Sequence, residues 1–127
     1  MTIFNFSNGA GREQAFNSRS KGTALIGVLA PLNADGEIEL NKRWYEAYEA
    51  AGLNVALIPV GTEGLDDIVN NIDGLLLPGG NSHVYVNGTE YEFGSLDIKR
   101  DLYAAELLKL TRVRGVPTLG ICRGMQE

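Results

Sequence analysis

The sequence predicts an α/β protein built on a doubly wound parallel sheet, and three observations carry that expectation. Uninterrupted apolar runs of strand length, "TALIGVLA", "NVALIPVG" and "GLLLPGG", recur along the chain, and such runs suit strands buried on both faces. Between them lie stretches whose apolar residues recur every three or four positions, as on one side of a helix. The two kinds of segment alternate strictly, the order that a parallel sheet with right-handed helical crossovers requires.

Taken in order, residues 1–22 read as a flexible arm. They are rich in Asn, Ser and Gly, with too few apolar groups to offset the entropy of ordering, although Phe4, Phe6 and Phe16 could dock the arm on a partner surface. Residues 23–127 form one domain, opening on the strand "TALIGVLA". "ELNKRWYEAYEAAGLN" places Leu40, Trp44, Ala47 and Ala51 on one helical stripe, with Gly52 as its stop. After the strand "NVALIPVG", the helix "GLDDIVNNID" aligns Leu65, Ile68, Val69 and Ile72, and sets Asp66 and Asp67 in its first turn, where the helix dipole favours acids. The strand "GLLLPGG" is cut off by Pro78-Gly79-Gly80. A polar loop over residues 81–96 carries Tyr85, Tyr91 and Phe93, which could wall a small-molecule pocket or pack the loop down. The longest helix candidate follows, with Ile98, Leu102, Ala105 and Leu108 facing inward, Arg100, Asp101 and Glu106 on a solvated face with local ion pairs, and Gly115 as its end. "VPTLGI" is the fourth strand. Four βα units in this order predict a flavodoxin-like sheet, truncated after the fourth strand. The uncovered edge of that strand predicts a homodimer or pairing with a second chain.

Bulk properties narrow the function. With 127 residues, 44% of them hydrophobic and 21% charged, the chain has the make-up of an ordinary globular domain. A net charge of −5 gives no electrostatic footprint for nucleic acid or an anionic membrane. No stretch reaches the roughly 20 apolar residues of a membrane span, and the opening segment has no secretory h-region. One Cys and one His offer neither an internal disulfide nor an ordinary zinc site, so no metal or other cofactor is expected. A reducing, cytoplasmic setting is the expectation.

Ligands of such sheets gather at the carboxyl ends of the strands, and two glycine-flanked corners fall there. In "GICRGMQ" the spacing G-x-C-x-G matches a nucleophile elbow with Cys122 as the nucleophile. Gly120 and Gly124 keep side chains out of a crowded strand-to-helix turn. The N-terminus of the following helix favours thiolate over thiol, and the Arg123 N–H can hold an oxyanion. In "PGG", Gly79 and Gly80 let bare backbone approach the reacting carbon as a second source of donors. The bland alternatives are a small cysteine buried at a strand end and a plain tight turn. His83, the one imidazole, sits in the loop beside this pocket, either as a makeshift weak base or as a solvated side chain without a role.

The segments "DGLLLPGGN" and "RDLYAAELLKLTRVRGVPTLGICRGMQ", with the order of the elements, resemble the class I glutamine amidotransferase-like superfamily, and within it the γ-glutamyl hydrolase type (peptidase family C26). Residues 23–127 then look like the N-terminal portion of such a domain. The resemblance implies that Cys122 forms a γ-glutamyl thioester, that Gly80 and Arg123 supply oxyanion N–H groups, and that Gly79 and Gln126 contact the glutamyl moiety. The implied reaction is hydrolysis of a small-molecule γ-glutamyl amide. Family members carry a catalytic His and Glu far downstream of the elbow. This chain has neither, so the expectation is weak or no turnover by this chain alone. An Asp of many relatives is replaced near Ser82, which puts substrate contacts there in doubt. The alternatives are a non-catalytic binding or assembly module that retains the fold, and a redox-sensing thiol.

Overall fold

The structure, a computed structural model, describes residues 2–3, 24–80 and 95–127, with side chains over 24–80 and 98–127. The strands are β1 (Thr2–Ile3), β2 (Leu25–Ala30), β3 (Asn54–Pro59), β4 (Gly74–Leu77) and β5 (Thr118–Gly120). The helices are α1 (Lys42–Ala50), α2 (Leu65–Asn71), α3 (Ser95–Arg114) and α4 (Arg123–Gln126). All strand pairings are parallel, in the order β1-β3-β2-β4-β5. The four expected strands, β2 to β5, are present in the flavodoxin-like order, and the chain reverses its direction across the sheet between β2 and β4.

Burial explains the apolar runs. All four residues of β4 are buried, as are five of the six in β2, because helices cover both faces. On one face Leu25, Leu29, Ala56, Ile58, Leu75 and Leu77 pack with Ile68 and Val69 of α2 and with Ala104 and Leu107 of α3. On the other, Val28, Val55, Leu57 and Leu76 pack with Tyr48 of α1. Alternate residues of one strand thus feed two cores, as the two-residue period of a strand dictates.

The helix stops fall where glycine predicts them. Gly52 (φ 73°) and Gly115 (φ 67°) take left-handed backbone. At each, the glycine N–H and the next residue's N–H return to carbonyls of the last turn: Gly52 to Glu49 and Leu53 to Tyr48, then Gly115 to Arg112 and Val116 to Thr111. This is the Schellman arrangement, which satisfies otherwise orphaned carbonyls. In α2 the expected stripe is borne out, with Ile68, Val69 and Ile72 buried and Asp66 and Asp67 in the first turn.

Three expectations need correction. The stripe of α1 runs through Tyr45 and Tyr48 rather than Trp44, Ala47 and Ala51, and Trp44 is 37% exposed, stacked on Tyr48. The buried face of α3 is Arg100, Asp101, Ala104, Leu107 and Thr111, while Leu102 is 55% exposed and Ala105 faces solvent. Its first turn packs through charges that find partners inside, so an apolar count selects the wrong side. Finally, the segment read as an arm contains Thr2–Ile3, which pairs with β3 at Ala56 and Leu57. Two residues are too few for a periodic signal. The remainder of residues 1–22 and the aromatic loop residues Tyr85, Tyr91 and Phe93 lie outside the described residues.

The tightest backbone approach is that of α4 to β4. A Cβ on Gly124 would strike the Leu77 carbonyl, and one on Gly120 would stand 2.5 Å from the Gly124 oxygen. Gly124→Ala is therefore expected to cost about 1–3 kcal/mol of stability, lowering the thermal midpoint by about 4 °C for each kcal/mol. Calorimetry of the variant against the parent checks this.

Candidate active site

Two chain corners leave the sheet side by side, because Leu77 at the end of β4 is in register with Gly120 at the end of β5. The first continues as Pro78-Gly79-Gly80 and the second as Ile121-Cys122-Arg123. They stay close: the Ile121 N–H bonds the Leu77 carbonyl at 2.9 Å, and a Cβ placed on Gly79 would lie 3.8 Å from the Cys122 Cβ. Ordinary van der Waals separation thus joins the predicted nucleophile to the predicted donor corner.

Cys122 is the N-cap residue of α4, with φ 53° and ψ −109°, and is the one non-glycine residue with positive φ among the described residues. Such backbone costs of order 1–3 kcal/mol and persists only where the surroundings impose it. Here they do: Gly120 and Gly124 bring β5, α4 and β4 too close for any Cβ, and the Gly124 N–H closes onto the Ile121 carbonyl at 3.0 Å. The thiol side chain is consequently exposed at the end of the sheet rather than buried beneath it, which removes the reading of Cys122 as a buried strand-end cysteine.

Beside this corner an open cleft of about 1300 Å³ lies over the ends of β2, β3 and β4, where Asn33, Glu39, Gly61, Gly79, Gly80 and Tyr103 contribute to its walls. Tyr103 is fixed by donating its hydroxyl to the Thr62 carbonyl at 2.8 Å, and burial pushes its phenol well above the usual range. Gln126, predicted to contact a glutamyl group, is exposed on the last turn of α4. His83 and Ser82 lie outside the described residues. Among the described residues, no group of three His, Cys, Asp or Glu is placed to hold a metal ion, and no helix is long and apolar enough to cross a membrane.

The corners rest on a buried cluster of charges that sequence reasoning placed in solvent. Arg100 and Asp101 are 4% and 6% exposed. The Arg123 side chain, folded under the elbow, donates from Nη2 to both Asp101 oxygens at 2.7 and 2.8 Å, and its Nε stands 3.4 Å from Glu127. Glu127 in turn accepts from Arg100 at 2.8 and 3.3 Å. Two cations and two anions make a neutral set, the condition under which charges can be buried without a large penalty. The signal missed in the sequence was the four-residue step from Arg100 to Ala104, which continues the Leu107 and Thr111 stripe once charges are admitted to a buried face.

Burial raises the Glu127 carboxyl above the usual range, the contacts with Arg100 pull it back, and Asp101 raises it further. An acid whose pKa is raised on folding binds its proton more tightly in the native state, so its contribution to stability is present below the unfolded pKa and is lost as pH rises through the folded one. The stability of the parent chain relative to Glu127→Gln is therefore expected to fall as pH rises from about 4.5 through that window. Urea titrations of both proteins across the range read the slope directly.

Comparison with known proteins identifies the family. The Peptidase C26 family model matches residues 24–127. A glutamine amidotransferase-like protein of Rickettsia prowazekii is 30% identical over 91 residues, covering 68% of this chain and 32% of that protein. A gamma-glutamyl-gamma-aminobutyrate hydrolase of Escherichia coli O157:H7 is 34% identical over 82 residues, 61% of this chain and 32% of the relative. A glutamine amidotransferase-like protein of Lactococcus lactis is 26% identical over 119 residues, 81% of this chain and 49% of its own length. The chain thus spans between a third and a half of the length of these curated relatives. With a family match that runs from the first long strand through both corners, the chain belongs to the peptidase C26 family.

Proposed function

We propose that residues 24–127 carry the nucleophile and the oxyanion donors of a cysteine-dependent hydrolase acting on γ-glutamyl amides. The observation that carries the reading is the backbone of Cys122, held at positive φ with its thiol exposed and its Cβ against Gly79. That backbone supports reading the turn as a nucleophile elbow. The Cys122 sulfur, as thiolate, attacks the amide carbon, and a C–S bond forms as the carbonyl π pair moves to oxygen. The N–H groups of Gly80 and Arg123 hold that oxyanion. Collapse breaks the C–N bond, the amine leaves with a proton, and water then cleaves the thioester to release glutamate and regenerate the thiol. Gly79 and Gln126 contact the glutamyl group, and His83 is the one imidazole in the chain available to move protons. The resident setting proposed is the cytoplasm, where a lone thiol stays reduced.

For these 127 residues alone, in which His83 is the one imidazole, acylation should outrun deacylation. A γ-glutamyl anilide with an electron-withdrawing ring is expected to leave a glutamyl adduct on the parent chain, seen by intact mass, followed by slow turnover. Cys122→Ser should give no adduct, and His83→Ala should slow turnover if the imidazole takes part. A parent chain that alkylates readily with iodoacetamide but never acquires the adduct would overturn the reading.

A second reading, an assembly module, draws on β5. It is one of two edge strands among the described residues, and Leu119 on it and Met125 after it are 58% and 75% exposed. An exposed apolar edge pairs readily, so we propose a homodimer, or a complex with a second chain, across β5. Light scattering at micromolar concentration is expected to report a dimer that Leu119→Lys weakens. A monomeric parent chain would count against self-pairing.

A further inference from the structure

The Pro78-Gly79-Gly80 corner is held by a side chain from another element. Arg100 of α3 donates from Nη2 to the Pro78 carbonyl at 2.6 Å and from Nη1 to the Gly79 carbonyl at 3.0 Å. Its Nε and Nη2 also meet the two Glu127 carboxylate oxygens at 2.8 and 3.3 Å. One guanidinium therefore serves four acceptors on two segments, a use of its fixed fork that an ammonium cannot reproduce.

The consequence for the corner follows from peptide geometry. In a trans peptide the carbonyl and the next residue's N–H point in opposite directions, and none of the described peptide bonds is cis. Drawing the Pro78 and Gly79 carbonyls onto Arg100 turns the N–H groups of Gly79 and Gly80 away from it. Arg100 also occupies the side of the corner that a side chain would take, since a Cβ on Gly80 would fall 2.5 Å from Nη1 and 2.9 Å from the Arg123 Cδ. Gly79 and Gly80 line the cleft together with Arg100, and Gly79 stands against Cys122.

We propose that Arg100 is a positioning residue, which by holding the Pro78 and Gly79 carbonyls sets the two peptide planes whose N–H groups face a reacting carbon at Cys122. The chemical consequence rests on the thioester reading above; the orientation of the planes does not. In this role Arg100 acts through the backbone it holds. Its neighbour Asp101 does the matching task at the other corner, through the Arg123 side chain.

The test is Arg100→Lys in the full chain, which keeps a cation opposite Glu127 and removes the fork. Residual dipolar couplings of the Gly79 and Gly80 N–H vectors are expected to change while those of β2 and β3 do not. Iodoacetamide alkylation of Cys122, which develops no oxyanion, should keep its parent rate. Acylation by the γ-glutamyl anilide should fall by about 100-fold, the scale on which an oxyanion donor acts. Unchanged couplings at both glycines, or acylation falling only in step with alkylation, would overturn the proposal. Changed couplings with no adduct even in the parent chain would sink the thioester reading and leave the positioning role standing. If the Lys variant fails to fold, Arg100→Met combined with Glu127→Gln removes the charge pair together, and the same couplings decide.

Discussion

Four buried charges, Arg100, Asp101, Arg123 and Glu127, are the contact on which the geometry at the strand ends depends. Arg100 and Asp101 are adjacent on α3, yet they reach different corners, one through carbonyls and the other through a guanidinium. Glu127 lies between the two arginines and links the corners to each other. Removing one member would strand a charge in a dry site, at a cost of about 3–5 kcal/mol. Replacing the whole set with apolar residues of equal volume would cost little. The cluster is thus a poor source of stability and a good source of direction: hydrogen bonds fix peptide planes in a way that apolar packing cannot.

The parallel sheet supplies the platform. Because β2 sits between β3 and β4, the chain turns opposite ways on leaving its two neighbours, and a gap opens over their carboxyl ends. Every corner described here rises at that end: Pro31 after β2, Val60 and Gly61 after β3, Gly79 and Gly80 after β4, Cys122 after β5. The two cores beneath, one toward α2 and α3 and one toward α1, make the strand ends rigid. Rigidity matters for Cys122, whose positive φ would relax if β4 and α4 could separate. Gly120 and Gly124 let them close, and the charge cluster keeps α4 in place.

Much of this was legible in the sequence, and the reasons differ by feature. Continuous apolar runs report strands buried on both faces, so β2, β3 and β4 were readable without any partner in view. Glycine spacing reports steric demand, which is why Gly120, Gly124, Gly52 and Gly115 all stood where close approach or left-handed backbone needs them. The charge cluster was not legible. Charged residues are assigned to solvent by default, since burying one alone is prohibitive, and only the three-dimensional structure shows that four of them cancel. The same default shifted the buried face of α3 onto Leu102 and Ala105. In α1 the error was of phase: Trp44 has the larger apolar surface, but Tyr48 is the ring that reaches Val55 and Leu57.

A cysteine at positive φ and a buried ion cluster are both costs, and their coincidence is informative. A fold selected only for stability would relax the first with a glycine and replace the second with leucines. Here each cost makes sense in terms of the other. The strained turn presents the thiol outward, and the charges hold the neighbouring glycines at a fixed angle to it. Were Cys122 only a surface thiol, the Arg100 fork to Pro78 and Gly79 would orient a corner that binds nothing. Held in this way, the two corners stand side by side at the strand ends, with Gly79 against Cys122.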